Sequence, residues 1–224
     1  MSHEGQIHEV VLDIETYADI TPEQLERMAA DVEAPKNWKD PEKIAAYIEK
    51  KKAEIVEKAA LSPRTGKVVC VGLALRRLGV EGAPWELLAL SGADEAVVLQ
   101  EMDLALHAHS VSRVITFNGK RFDIPFLVAR LMRQDQCTAF KLPIGHDKRH
   151  VDLWEVLTSW GKGVTGGLGA WSDAILGEPH DQYGSDVAGM VDAGAWGDLE
   201  SYCLQDVRHT AVLYDRMLAV TGGV

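Results

Sequence analysis

The segment that most constrains the fold is the apolar run from Val10 to Tyr17, which carries two acids, Asp13 and Glu15, two positions apart. Side chains of a β-strand alternate between faces, so Asp13 and Glu15 project from one side while Leu12 and Ile14 project from the other. Two carboxylates on one face repel each other, and a divalent cation bound by oxygen ligands relieves that repulsion. An edge strand with one solvated polar face has the same pattern. The segment alone leaves both interpretations open.

Length and composition restrict the class of protein. The chain has 224 residues, 46% of them hydrophobic and 25% charged, which is typical of one globular α/β domain. No run approaches the roughly 20 apolar residues of a membrane-spanning helix. The first residues have neither the basic start nor the apolar core of a signal peptide. We therefore expect a single domain over residues 1–224, located in the cytoplasm and without membrane association.

Charge and cysteine content exclude further classes. Lys and Arg total 23 against 34 Asp and Glu, and the net charge of −11 makes the field of the whole protein repel a polyanion. This excludes a general nucleic-acid coat protein, although an enzyme that binds a few nucleotides at a local basic surface still fits. Cys70, Cys137 and Cys203 lack short spacing, which argues against a zinc site or disulfide framework and predicts three core or near-core thiols.

The order of strand and helix patterns predicts a mixed sheet. Three strands come first and should form an antiparallel meander. Strands and helices then alternate, which implies parallel strands joined by crossovers. The strands are expected at residues 6–15, 67–75, 85–90, 112–117 and 150–153, and the main helices at 94–107, 122–132 and 196–219.

A helical insertion is predicted between the first two strands, at about residues 21–66. This region is rich in Lys and Glu, and its apolar residues recur at helical spacing. It contains the densest positive patch of the sequence, made of Lys36, Lys39, Lys43 and the run 50–52. A solvated helix balanced by glutamates fits this pattern better than a surface that guides a nucleic-acid strand.

Two further segments carry candidate acids. Asp123 begins a helix after a buried strand, where an acid is ordinarily a capping or dipole residue. The carboxyl ends of parallel strands, however, are where α/β sheets bind ligands. Tyr202 and Asp206 lie four residues apart on the last helix and share one face, which also fits an exposed Tyr beside a solvated Asp. Asp152 ends the last strand, where it could support a site at this edge indirectly, although a helix N-cap fits better.

These residues together carry a resemblance to a known family. Three motifs stand in order along the chain: Asp13-x-Glu15, Asn118-x4-Asp123 and Tyr202-x3-Asp206. They resemble the motifs of the DEDD superfamily of 3′–5′ exonucleases in its tyrosine subclass (DEDDy), in particular the exonuclease domain of family B DNA polymerases. The similarity spans about residues 6–218 and implies an RNase H-like mixed five-stranded sheet flanked by helices. The insertion departs from the family pattern.

The resemblance implies a metal-dependent enzyme. It would hydrolyse phosphodiester bonds at the 3′ end of single-stranded nucleic acid, with DNA favoured over RNA, and release nucleoside 5′-monophosphates. Two Mg²⁺ or Mn²⁺ ions per active site would be bound by four carboxylates, namely Asp13, Glu15, Asp123 and Asp206. Tyr202 would orient the attacking water, because an ordinary pKa of about 10 makes a phenol a poor base at neutral pH. No polymerase domain is expected to follow, so a polymerase or repair protein would be a partner in trans.

The expected substrate contacts are Asn118, Phe122 and Thr16. Phe122 could stack on a terminal base or be a core residue, and Asn118 could contact the substrate or cap the following helix. Two alternative functions remain. An exoribonuclease would need groups that recognise the 2′-hydroxyl, which no sequence pattern reveals. A non-catalytic module that binds nucleic-acid ends would have no reason to keep four mutually repelling acids.

Overall fold

The computed structural model describes residues 8–80, 82–178 and 186–222. The elements in chain order are β1 (His8–Ala18), α1 (Pro22–Met28), α2 (Pro41–Ala60), β2 (Gly66–Arg77), β3 (Glu86–Ser91), α3 (Glu95–Ala108), β4 (Val111–Thr116), α4 (Asp123–Arg133), β5 (His150–Asp152), α5 (Leu153–Thr158), α6 (Leu168–Leu176), α7 (Val187–Asp192) and α8 (Trp196–Thr221).

The five strands form one mixed sheet in the order β3-β2-β1-β4-β5. β2 and β3 pair antiparallel, whereas β1 pairs parallel with β4, and β4 pairs parallel with β5. The parallel pairs follow from the alternation of strand and helix after β3, because a helix must carry the chain back to the start of the next strand. This is the mixed five-stranded sheet flanked by helices that the RNase H-like fold class requires.

The sheet is covered on both faces, and β1 contributes to both cores. Val10, Leu12 and Ile14 pack in one core with residues of α3 and α4. Val11 packs in the other core with residues of α8. The predicted alternation therefore holds along β1, and it turns Asp13 and Glu15 towards the face that α8 covers.

The chain divides into two compact units, one formed by the residues up to Glu15 and from Val68 onwards, the other by Thr16–Lys67. The second unit contains α1 and α2 and corresponds to the predicted insertion. Thr21 caps α1 in a capping box with Gln24. The second helix of the insertion begins only at Pro41, because Asp40 caps α2 and proline suits the first helical position.

One expectation is wrong, and one helix was not predicted. Cys70 and Cys203 are buried as predicted, but Cys137 is exposed, since it lies after α4 rather than in an element of the core. The short helix α7 was not anticipated, because six residues are too few to show a helical period. Within the described ranges, none of the helices combines the length and the apolar character needed to cross a bilayer.

Candidate active site

The acids of β1 lie where this strand extends beyond its parallel neighbour. Val11 is opposite Ile115, and β4 ends one residue later at Thr116. The backbone N–H of Ile14 therefore has no partner strand on that side, and Asp123 Oδ1 accepts it at 3.1 Å. The first residue of α4 is thereby held against β1 between the positions of Asp13 and Glu15.

The loop between β4 and α4 is held by a second buried acid, Asp152. Its Oδ1 accepts the N–H of Asn118 at 2.7 Å and that of Trp154 at 3.0 Å, and its Oδ2 accepts the N–H of Lys120 at 3.0 Å. Asp152 is therefore the N-cap of α5, as predicted, but it also orders the turn that leads to Asp123. Sequence reasoning missed this second contact, and the only available signal was an acid at the end of a parallel strand.

Helix α8 supplies the remaining side chains. The hydroxyl of Tyr202 is hydrogen-bonded to Asp206, one helical turn later. Cys203 Sγ lies 3.9 Å from Asp13 Oδ2. The potential ligand atoms of Asp13, Glu15 and Cys203 all lie within 4.8 Å of one another, which makes them a candidate metal-binding group. Cys203 was not singled out as a site residue from the sequence, where it was only one of the three predicted core or near-core thiols.

The surroundings strongly disfavour the charged forms of the two β1 acids. Burial, then the negative charges of Asp123, Asp206 and Glu15, raise the pKa of Asp13 well above its usual value. Burial, then Asp206 and the neighbouring thiol of Cys70, raise the pKa of Glu15 in the same direction. Acids from three distant segments of the chain therefore interact electrostatically at one point.

The neighbouring groups are shifted in the same way. Burial raises the pKa of Asp123 to about 7, although hydrogen bonds from its own N–H and that of Ile14 oppose the shift. Burial, then the charges of Asp206 and Glu15, raise the pKa of the Tyr202 phenol. A hydrogen bond with Cys70, together with burial, raises the pKa of Cys203. Both the phenol and the thiol are therefore neutral at physiological pH.

The charges of Asp13, Glu15 and Asp123 are not balanced by a cationic side chain among the described residues. In the part of the chain that the structure describes, Asp13, Glu15 and Asp123 form no ion pair with Lys, Arg or His. Carboxylate oxygens are the ligands that Mg²⁺ and Mn²⁺ prefer, whereas a neutral thiol is a poor ligand for either. The residues present therefore fit divalent cations bound by carboxylates.

The three predicted substrate contacts have different surroundings. Asn118 does not cap α4, whose N-cap is Phe122, and its buried Oδ1 has no hydrogen-bond partner among the described residues. Phe122 is half-buried and its ring centroid lies 5.5 Å from that of Phe126, so it contributes to the core without being enclosed by it. Thr16 follows Glu15 in β1 and is half-buried. A substrate contact stays a prediction for all three residues.

Comparisons with known proteins agree with this fold. The chain resembles the structure of the family B DNA polymerase of the hyperthermophilic archaeon Pyrobaculum calidifontis, with a TM-score of 0.58 and 16% sequence identity. The match covers 94% of this chain but only 24% of the polymerase, so the chain spans about a quarter of that protein's length. No curated protein sequence matches the chain.

A family model gives the more specific result. Residues 62–224 match the family described as predicted 3′–5′ exonucleases related to the exonuclease domain of PolB. The match includes the segments of Asp123, Tyr202 and Asp206, whereas Asp13 and Glu15 precede it and are connected to it by the geometry above. The chain therefore belongs to this family of predicted 3′–5′ exonucleases.

Proposed function

We propose that the chain is a 3′–5′ exonuclease of the DEDDy type that removes nucleoside 5′-monophosphates from the 3′ end of single-stranded nucleic acid. The observation that carries the proposal is the cluster of four acids from three segments, in which the pKa values of Asp13, Glu15 and Asp123 are all raised. DNA is favoured over RNA as the substrate because the matched solved structure is that of a DNA polymerase.

Four carboxylates would hold the catalytic cations: Asp13, Glu15, Asp123 and Asp206. Two bound Mg²⁺ or Mn²⁺ ions would neutralise negative charge on the phosphate and lower the pKa of a bound water molecule. Because the pKa of Asp123 is raised to about 7, a cation must displace a proton from part of the population near neutral pH. Binding should therefore strengthen as the pH rises through this range.

Tyr202 would orient the attacking water rather than remove its proton. Its phenol is half-buried, hydrogen-bonded to Asp206 and surrounded by acids that raise its pKa. A general base is most effective when its pKa lies near the working pH, which this phenol does not satisfy. It remains a neutral donor and acceptor of hydrogen bonds in a fixed position.

The substrate would be bound by groups beside the acids. The unpartnered Oδ1 of Asn118 supports a role as an acceptor, since a buried acceptor without a donor costs about 1–3 kcal/mol. The half-buried ring of Phe122 offers a surface for stacking on a terminal base. Thr16, next to Glu15, is the third proposed contact. A polymerase or repair protein is the proposed protein partner.

The test is a single-turnover assay with matched DNA and RNA oligonucleotides, each labelled at the 5′ end, in Mg²⁺ or Mn²⁺. We expect the labelled DNA to shorten from the 3′ end, nucleotide by nucleotide, and the reaction to stop in EDTA. Shortening of RNA alone would make the enzyme an exoribonuclease. The absence of any metal-dependent product from both substrates would overturn the proposal.

A further inference from the structure

The compact unit Thr16–Lys67 differs in charge from the rest of the chain. It contains ten basic and ten acidic residues, so the whole net charge of −11 lies on the other residues. All but its last six residues precede the segment that the family model matches, so the family gives no role to this unit. The segment from residue 36 to residue 52 contains six lysines but only three acidic residues.

The unit presents an exposed tryptophan. Trp38 is 39% exposed and lines a cavity of about 270 Å³ together with Lys39, Asp40 and Lys43. Its ring contacts Tyr47 edge to face, with a centroid distance of 5.6 Å and an interplanar angle of 71°. The indole is thus held in place by a neighbouring aromatic ring while part of it stays open to solvent.

The lysines beside Trp38 are not neutralised. Lys36, Lys39 and Lys43 are exposed and form no ion pair with any residue in the described ranges. The carboxylate of Asp40 is engaged as the N-cap of α2, where it accepts the N–H groups of Glu42 and Lys43. Further along α2 the situation is different, because Lys51 pairs with Glu54, and Lys52 with Glu26.

We propose that the surface formed by Trp38, Lys36, Lys39 and Lys43 binds single-stranded nucleic acid. An aromatic ring stacks on any base, and unpaired lysines attract the phosphates on either side, so the combination binds a strand without regard to sequence. A duplex does not offer an unstacked base to the indole. The inference rests on the proposed function, since it assigns to this unit the class of substrate that the enzyme would degrade.

The test uses the full-length Asp13→Asn protein in EDTA, so that the oligonucleotide is not degraded. Binding of a fluorescent 20-nucleotide DNA strand is measured by anisotropy at several salt concentrations. We expect Trp38→Ala to weaken binding about 10-fold, Trp38→Phe to weaken it less, and the triple variant K36Q/K39Q/K43Q to reduce the salt dependence. Trp160→Ala and Lys58→Gln, which alter an exposed tryptophan outside the unit and another exposed lysine of α2, are the matched controls and should bind as the parent.

The outcomes separate this inference from the proposed function. If the folded Trp38→Ala and triple-lysine proteins bind DNA with unchanged affinity, the inference is wrong, even if the wild type degrades DNA. A protein would then be the alternative partner for this surface. Weakened binding in both variants would support the inference, even if the wild type proved to have no nuclease activity. Circular dichroism of each variant should show the helix content of the parent protein.

Discussion

β1 carries acids at both ends of the face that it turns to α8, and their surroundings differ. At one end, Oε1 of Glu9 accepts hydrogen bonds from Nε and Nη2 of Arg76 at 2.9 and 2.6 Å. Its Oε2 accepts a hydrogen bond from the hydroxyl of Tyr214 at 3.2 Å. At the other end, the neighbours of Asp13 and Glu15 are further acids, a phenol and a thiol. The same strand thus has one buried carboxylate that arginines neutralise and two half-buried carboxylates that no described cationic residue neutralises.

The difference indicates what each end is for. A buried charge is stable in a protein only when it is paired, protonated or bound to a metal. Arg76 is itself held by Asp215 at 2.6 Å and lies over the ring of Trp85 at 4.0 Å, so the Glu9 end is a closed structural network. At the Asp13 end no cationic side chain of the described residues supplies the compensating charge, and we expect it to come from a proton or from a bound metal cation.

The largest expected effect is on catalysis at the Asp13 end. Asp13→Asn removes a charge from the centre of the cluster but keeps the shape of the side chain. We expect nuclease activity to fall by at least about 1,000-fold, since cation-assisted charge stabilisation is lost. The single-turnover rate on labelled DNA measures this loss, and a rate within the error of the wild type would show that the acids were assigned wrongly.

The matched change at the other end should affect stability instead. Glu9→Gln leaves Arg76 and Arg113 without their buried counter-charge, and breaking such a pair costs about 3 kcal/mol. Urea unfolding should record this loss of stability, while the folded variant should degrade DNA at the wild-type rate. If Glu9→Gln instead abolished activity at full stability, the two ends of β1 would not differ as described.

The pH dependence of stability sharpens the comparison. The pKa of Asp123 is about 7 in the folded protein and near its ordinary value in the unfolded chain. Between about pH 4 and pH 7 this carboxyl group is therefore protonated in the folded state but ionised in the unfolded state. Stability of the metal-free protein should therefore fall as the pH rises through this window. Asp123→Asn keeps an acceptor for the N–H of Ile14 and removes the charge.

We expect Asp123→Asn to match the wild type near pH 4 and to be more stable than it at pH 8, without metal, by roughly 3 to 4 kcal/mol. Urea unfolding in EDTA at both pH values measures the difference. Equal stabilities at pH 8 would mean that the Asp123 carboxylate is compensated after all.

The smallest expected effect is that of the phenol. Tyr202→Phe removes the hydroxyl that is hydrogen-bonded to Asp206 and leaves the carboxylates unchanged. A positioning role predicts a loss of about 10-fold in the single-turnover rate, with the same pH profile as the wild type. A profile that lost its basic limb would instead identify Tyr202 as a group that titrates during the reaction.

The sequence predicted one end of β1 far better than the other, for a physical reason. The alternation around Asp13 and Glu15 is local, and the resemblance carried by Asp123, Tyr202 and Asp206 connected them to the same site. Nothing local distinguished Glu9, because its partners Arg76 and Arg113 lie 67 and 104 positions away in other strands.

Other contacts were missed for the same reason. Helix caps such as Thr21 and strand alternation are short-range patterns, so the five strands and the longer helices could be predicted, whereas the six-residue helix α7 could not. The contact between Cys203 and Asp13, and the hydrogen bond from the N–H of Asn118 to Asp152, depend on how distant elements pack. Such contacts become visible only once the fold is known.

Binding of Mn²⁺ at pH 8, measured by calorimetry on three proteins, tests the central claim most directly. The account predicts that the wild type and Glu9→Gln bind Mn²⁺ with the same affinity and stoichiometry, and that Asp13→Asn loses this binding. Binding of Mn²⁺ by Asp13→Asn with wild-type affinity and stoichiometry would contradict it.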